Sequence, residues 1–117
     1  MREIKFRAWD EVNKLYYYNV QNTYDKKIGD NFQNVLDNEN LMVEEFTGLK
    51  DKNGVEIYEN DIIEISDMSY GDSQNNYGVV KYSEYAELVV GNILLSRIYN
   101  AIEVIGNIHE NADLLEE

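Results

Sequence analysis

Thr47–Ile65 reads TGLKDKNGVEIYENDIIEI, and the fold is decided by how this stretch turns. Asn53-Gly54 stands between Leu49 and the alternating run Val55-Glu56-Ile57-Tyr58. Asn and Gly both tolerate positive φ, which the two central positions of a tight hairpin turn require. A short hairpin closed by Asn53-Gly54 is therefore predicted, with the Asp51 carboxylate bonding to backbone two residues on. Glu59-Asn60-Asp61 is a second turn signal, and Asn60 suits a left-handed backbone position. Ile62-Ile63-Glu64-Ile65 then resumes a strand rich in β-branched residues. The competing reading is a calcium loop, which needs Gly at its sixth position and Glu at its twelfth. Counted from Asp51, Gly54 falls at the fourth position and Ile62 at the twelfth, so the turn reading stands.

Working toward the N-terminus, residues 2–8 alternate, with Ile4, Phe6 and Ala8 on one face and Glu3, Lys5 and Arg7 on the other. That pattern predicts a half-buried strand ended by Trp9. Asp10–Lys14 reads as a turn and Leu15–Val20 as the returning strand of a hairpin. Arg2, Lys5, Arg7 and Lys14 beside Tyr16, Tyr17 and Tyr18 have the composition of a basic-aromatic nucleic-acid surface. Strand alternation sends those tyrosines to opposite faces, so no continuous stacking platform follows. Residues 21–40 are polar, and Phe32, Val35 and Leu36 permit a short helix there, a long edge loop being the alternative. Leu41–Phe46 reads as a strand with Glu44 and Glu45 exposed.

Toward the C-terminus, Asp67–Asn76 has loop composition, and its Asp67 and Asp72 are expected to be solvated rather than metal-bound. Tyr77–Tyr82 and Ala86–Val90 form a strand pair about Ser83-Glu84-Tyr85, and Gly91-Asn92 is a turn. Ile93–Tyr99 and Ile102–Ile105 are further strands, the last broken by Gly106-Asn107. Asn111 is placed to cap a final short helix, Ala112–Glu117, with Leu114 and Leu115 docking on the strands. Short strands separated by regular turn signals suggest a barrel or sandwich. With no repeat and no linker, one domain over residues 1–117 is expected.

Three motifs in order, spanning both ends, resemble the YopX family, small proteins encoded mostly by phages and prophages of Gram-positive bacteria. They are Met1–Asp10 (MREIKFRAWD), the central Thr47–Gly54 (TGLKDKNG) with Glu56–Glu59 and Asp61–Ile63, and Val104–Asn111 (VIGNIHEN). Two positions depart from the family pattern: Asn60 stands where Gly is usual, and Glu45 where Gln is usual. The resemblance implies a mainly β fold, an SH3-like barrel of short antiparallel strands with an N-terminal hairpin and a short C-terminal helix. It implies no established activity. The motif residues carried over are Trp9, Thr47, Gly48, Leu49, Asp51, Asn53, Gly54, Ile57, Tyr58, Asp61, Gly106 and Asn107, as structural or interaction positions.

At 117 residues the chain fits one domain that buries roughly two-thirds of its unfolded surface. It has no Cys, so no disulfide or thiol chemistry is available, which suits a reducing cytoplasm. No signal peptide and no membrane span are expected. It has no Pro either, so its turns fall to Gly, Asn and Asp. The net charge of −13 is uneven: residues 1–27 hold six basic and four acidic residues, and residues 28–117 hold four basic and nineteen acidic. Such a surface repels phosphate backbones, so direct nucleic-acid binding is not expected.

The catalytic inventory is thin. His109 is the only His, and pairing it with Ser66, Ser69, Ser73, Ser83 or Ser96 has no positional support. Zinc would lack Cys and a second His, and the seven Gly form no phosphate loop. No catalytic residue, cofactor or metal is assigned, and the chain is read as a non-enzyme. The expected function is a phage-type interaction module acting on a protein partner or on itself as a homo-oligomer, in the bacterial host cytoplasm. An acidic decoy for a nucleic-acid-binding site on a host protein is the alternative, and a metal-dependent hydrolase the third.

Overall fold

The alternation at the N-terminus becomes strand β1, Phe6–Asp10, which pairs antiparallel with β2, Leu15–Tyr18. On its other side β1 pairs antiparallel with β3, Leu41–Lys50, in the register Phe6↔Glu45 to Asp10↔Leu41. In a computed structural model, residues 3–22, 29–65, 77–91 and 93–115 are described. Residues 1–46 and 47–117 form two compact units, and β3 runs from the first into the second.

In the first unit, one face of the sheet is closed by apolar residues. Ala8, Val20 and Val35 are buried, with Phe6, Tyr17, Phe32, Leu41 and Val43 packed on them. Val20 comes from a 3₁₀ turn, Val20–Asn22, and Val35 from helix α1, Phe32–Asp37. The short helix predicted from Phe32, Val35 and Leu36 is therefore present, and Leu36 points outward. Asn31 caps it, its side-chain oxygen accepting from the Asn34 N–H at 2.9 Å. Ile4, expected inside, is 66% exposed, because pairing with β2 begins only at Arg7.

In the second unit, β4 (Glu56–Tyr58), β5 (Asp61–Ile65), β6 (Tyr77–Tyr82), β7 (Leu88–Val90), β8 (Ile93–Leu94) and β9 (Ile102–Asn107) follow. Five of these form an antiparallel sheet in the order β8-β7-β6-β5-β9, curled as a half-barrel. The fold is thus mainly β. Ile57, Ile63, Val80, Val90, Leu95, Ile98 and Ile102 fill the core, with Leu49 and Val104 packed against it.

Several sequence expectations change here, among them the end of the last strand, since β9 runs through Gly106-Asn107 instead of breaking before them. Ile93–Tyr99 is not one strand: after β8 the chain enters helix α2, Leu95–Ile98, then a 3₁₀ turn, Tyr99–Ala101. Leu95 and Ile98 are three apart and both fully buried, a helical spacing hidden inside a short apolar run. Strand β7 starts at Leu88 rather than Ala86, because Ala86 lies in a loop with φ +63°. The C-terminal helix is a single 3₁₀ turn, Ala112–Leu115, and the Asn111 side chain turns back instead of capping it, accepting from the Asn107 N–H at 3.1 Å. The predicted loop at 67–76 lies outside the described residues, as does Asn92 of the predicted Gly91-Asn92 turn.

Candidate functional site

The face of the first unit's sheet opposite Ala8 is a small grid, mostly buried. Tyr18, Arg7 and Glu44 lie side by side across β2, β1 and β3, and Tyr16, Trp9 and Met42 form the next row. The Arg7 Nε donates to Glu44 Oε1 at 2.8 Å, with side-chain exposures of 5% and 1%. The Tyr16 hydroxyl donates to the same oxygen at 3.0 Å. The Arg7 guanidinium lies 4.3 Å from the Tyr16 ring centroid. Trp9 meets Tyr16 edge-on at 5.1 Å, and Tyr18 packs at 5.8 Å on the far side of Tyr16. Glu44 was expected on the surface and is instead among the most deeply buried side chains. A carboxylate tolerates that only with a cation and a hydroxyl aimed at it. The other basic residues near this face are engaged too: Lys5 lies 4.8 Å over Phe46 and 3.5 Å from Glu3, and Lys14 pairs with Glu11 at 3.1 Å. Arg2 lies outside the described residues.

Two exposed apolar side chains stand on this rigid face, Tyr18 at 57% and Met42 at 48%. At its end, Trp9, Glu11, Glu39, Asn40, Leu41 and Met42 line a pocket of about 100 Å³. The Trp9 Nε1 donates to Glu11 Oε2 at 2.9 Å. Beside it, the Asp10 carboxylate holds the β1–β2 turn. It accepts from the Val12 and Asn13 N–H groups, the Asn13 amide and the Tyr17 hydroxyl. The Asn13 backbone bond is the strongest cause that holds its pKa below the usual carboxylate value, against the opposing effect of burial.

The family-motif residues, Trp9 apart, lie in the second unit, several of them at its turns and others in its core. Asp51 Oδ1 accepts from the Asn53 and Val55 N–H groups, and Oδ2 from Val104 N–H on β9 at 2.8 Å. The hairpin turn differs from the predicted two-residue form. Gly54 N–H donates to Asp51 C=O, and Asp51 N–H to Val55 C=O, so the loop holds Lys52, Asn53 and Gly54. Only Gly54 has positive φ, +83°, as a three-residue loop requires at its last position. Asn60 takes the predicted left-handed conformation, φ +69°. Thr47 Oγ1 donates to Ile57 C=O at 2.7 Å, and Gly48 bends β3 with φ +90°. Asp61 Oδ2 accepts from Tyr58 N–H. Leu49 and Ile57 belong to the core.

At the third motif, β9 bulges opposite Ile62/Ile63, and Gly106 leaves room for Asn111. A Cβ on Gly106 would stand 2.4 Å from Asn111 Oδ1. Asn107 Oδ1 accepts from the His109 and Glu110 N–H groups, and its amide donates to Glu110 Oε1 at 2.9 Å. The only His is thus part of a turn. Of the serines considered as nucleophiles, Ser83 accepts two backbone N–H groups in its own turn, and Ser96 is exposed on α2. Ser66, Ser69 and Ser73 lie outside the described residues. Among the described residues no group of three or more His, Asp or Glu is arranged to hold a metal ion, and no helix is long and apolar enough to cross a membrane.

This face of the first unit and its pocket were missed by sequence reasoning. Their one visible signal is strand alternation, which sets Arg7 and Trp9 on one face of β1 and Tyr16 and Tyr18 on one face of β2.

The comparisons with known proteins agree with the motifs. No curated protein matches the chain. A solved structure, protein EF1440 from Enterococcus faecalis, superposes with a TM-score of 0.69 at 27% identity, over 99% of this chain and 100% of that one. The family model of YopX protein matches residues 5–116, nearly the whole chain, and this chain belongs to the YopX family.

Proposed function

We propose that this protein is a phage-type binding module that acts in the bacterial host cytoplasm through protein contacts, without catalysis. The observation that carries the reading is the exposed Tyr18 and Met42 pair on the polar-aromatic face of the first unit. Its buried Arg7–Glu44 pair and the half-buried Tyr16 fix the side chains, while Tyr18 and Met42 stand exposed beside them. Aromatic residues and Met are enriched at interfaces, where a rigid platform loses little entropy on binding. The motif residues around Asp51 and Asn107 support the reading from the other side, since their polar groups are engaged in turns. A chain without Cys is at home in a reducing compartment.

The test is affinity capture from host lysate, with light scattering on the purified protein across concentrations. A defined complex, with a host protein or with itself, is expected and is lost in the Tyr18→Ser/Met42→Ser variant. A monomer at every concentration that captures nothing would end the proposal.

A further inference from the structure

The pocket at the end of that face carries a more specific reading, which rests on the interaction function proposed above. Trp9, Leu41 and Met42 supply apolar wall, and Glu11, Glu39 and Asn40 supply polar groups. A slot lined by apolar side chains and two carboxylates matches a long basic side chain, whose methylene stem packs on the apolar wall while its charged head meets a carboxylate. About 100 Å³ suits one such side chain. Glu11 already takes a cation: Lys14 Nζ lies 3.1 Å from it, with both side chains more than half exposed. An exposed pair of this kind contributes little to stability, so an incoming cation can replace Lys14 at small cost. The chain's net charge of −13 disfavours a second copy as the source and favours a basic protein.

We infer that this pocket receives a lysine or arginine side chain from a basic protein partner. Trp9 is the only Trp in the chain, so its emission reports occupancy directly. The experiment titrates the intact protein with Nα-acetyl-lysine N-methylamide and the arginine counterpart, using the uncharged norleucine analogue as control. Saturable change in Trp9 emission is expected for the two cations, weakened roughly fivefold or more in Glu39→Gln and by added salt. Glu39 is exposed, so this variant leaves the fold intact. Equal response to norleucine, no response to the cations, or undiminished binding by Glu39→Gln would overturn the inference. The two proposals fail separately. Loss of probe binding with partner capture intact removes only the pocket reading. Probe binding by a protein that captures nothing removes the module reading.

Discussion

Ala86 holds a position that another loop of the same chain gives to Gly. In Asp51–Val55 and in Ser83–Glu87 the first residue's N–H donates to the fifth residue's C=O, and the fourth residue's N–H donates to the first residue's C=O. In both, the first side chain accepts from the third and fifth N–H groups. The left-handed fourth position is Gly54 in one and Ala86, φ +63°, in the other. A Cβ there is strained, so Ala86→Gly is predicted to stabilise the protein by about 0.5–1 kcal/mol, read as a raised denaturant midpoint at constant slope. This loop geometry was only half legible. Asn60 was readable because Asn before a strand suits positive φ. The Asn53-Gly54 turn was misread because the Asp51 carboxylate, bonded as far as Val104, sets the loop length. Asp10 gives a second residue-scale prediction. Its folded pKa lies below the ordinary 3.8, so the unfolded chain binds the proton more readily. The stabilisation is whole above that value and is lost as pH falls through the folded one. Asp10→Asn should lower stability at neutral pH and flatten the acid side of the stability–pH curve, the two proteins converging at low pH.

The elements depend on pairings far apart in sequence. Arg7 and Glu44 are opposite one another across β1 and β3, and a slip of one residue would separate them and bury each unpaired. Arg7→Met alone should therefore cost about 3–5 kcal/mol, while Arg7→Met/Glu44→Leu should regain most of it, as chemical denaturation of both variants and the parent would measure. Glu44 was unreadable as a buried residue because its partner stands 37 positions away, beyond any local pattern. Likewise α2 was hidden: a run of apolar residues fits strand and helix alike until something fixes which face is inside. At β9 the prediction concerns shape. Gly106→Ala should destabilise by about 2 kcal/mol or more, since the new methyl meets Asn111. In a double-mutant cycle, Gly106→Ala should cost less in an Asn111→Gly background.

Across the whole molecule the sequence carried fold class far better than site. Motif order and turn chemistry led to the family, and strand alternation led to most of β1, β2, β5 and β6. The grid of the first unit was invisible because it joins β1, β2 and β3 through cross-strand neighbours, and sequence shows neighbours only along the chain. The motif residues around Asp51 and Asn107 hold turns in the second unit, and the proposed binding surface is the Tyr18–Met42 face of the first unit. The most direct measurement compares capture of the same partner by two surface variants at matched stability. One is Tyr18→Ser/Met42→Ser on the first unit, and the other is Tyr77→Ser/Tyr82→Ser on the exposed side chains of β6. The first variant is expected to lose the partner and the second to retain it. Retention by the first and loss by the second would rule out the Tyr18–Met42 face as the binding surface.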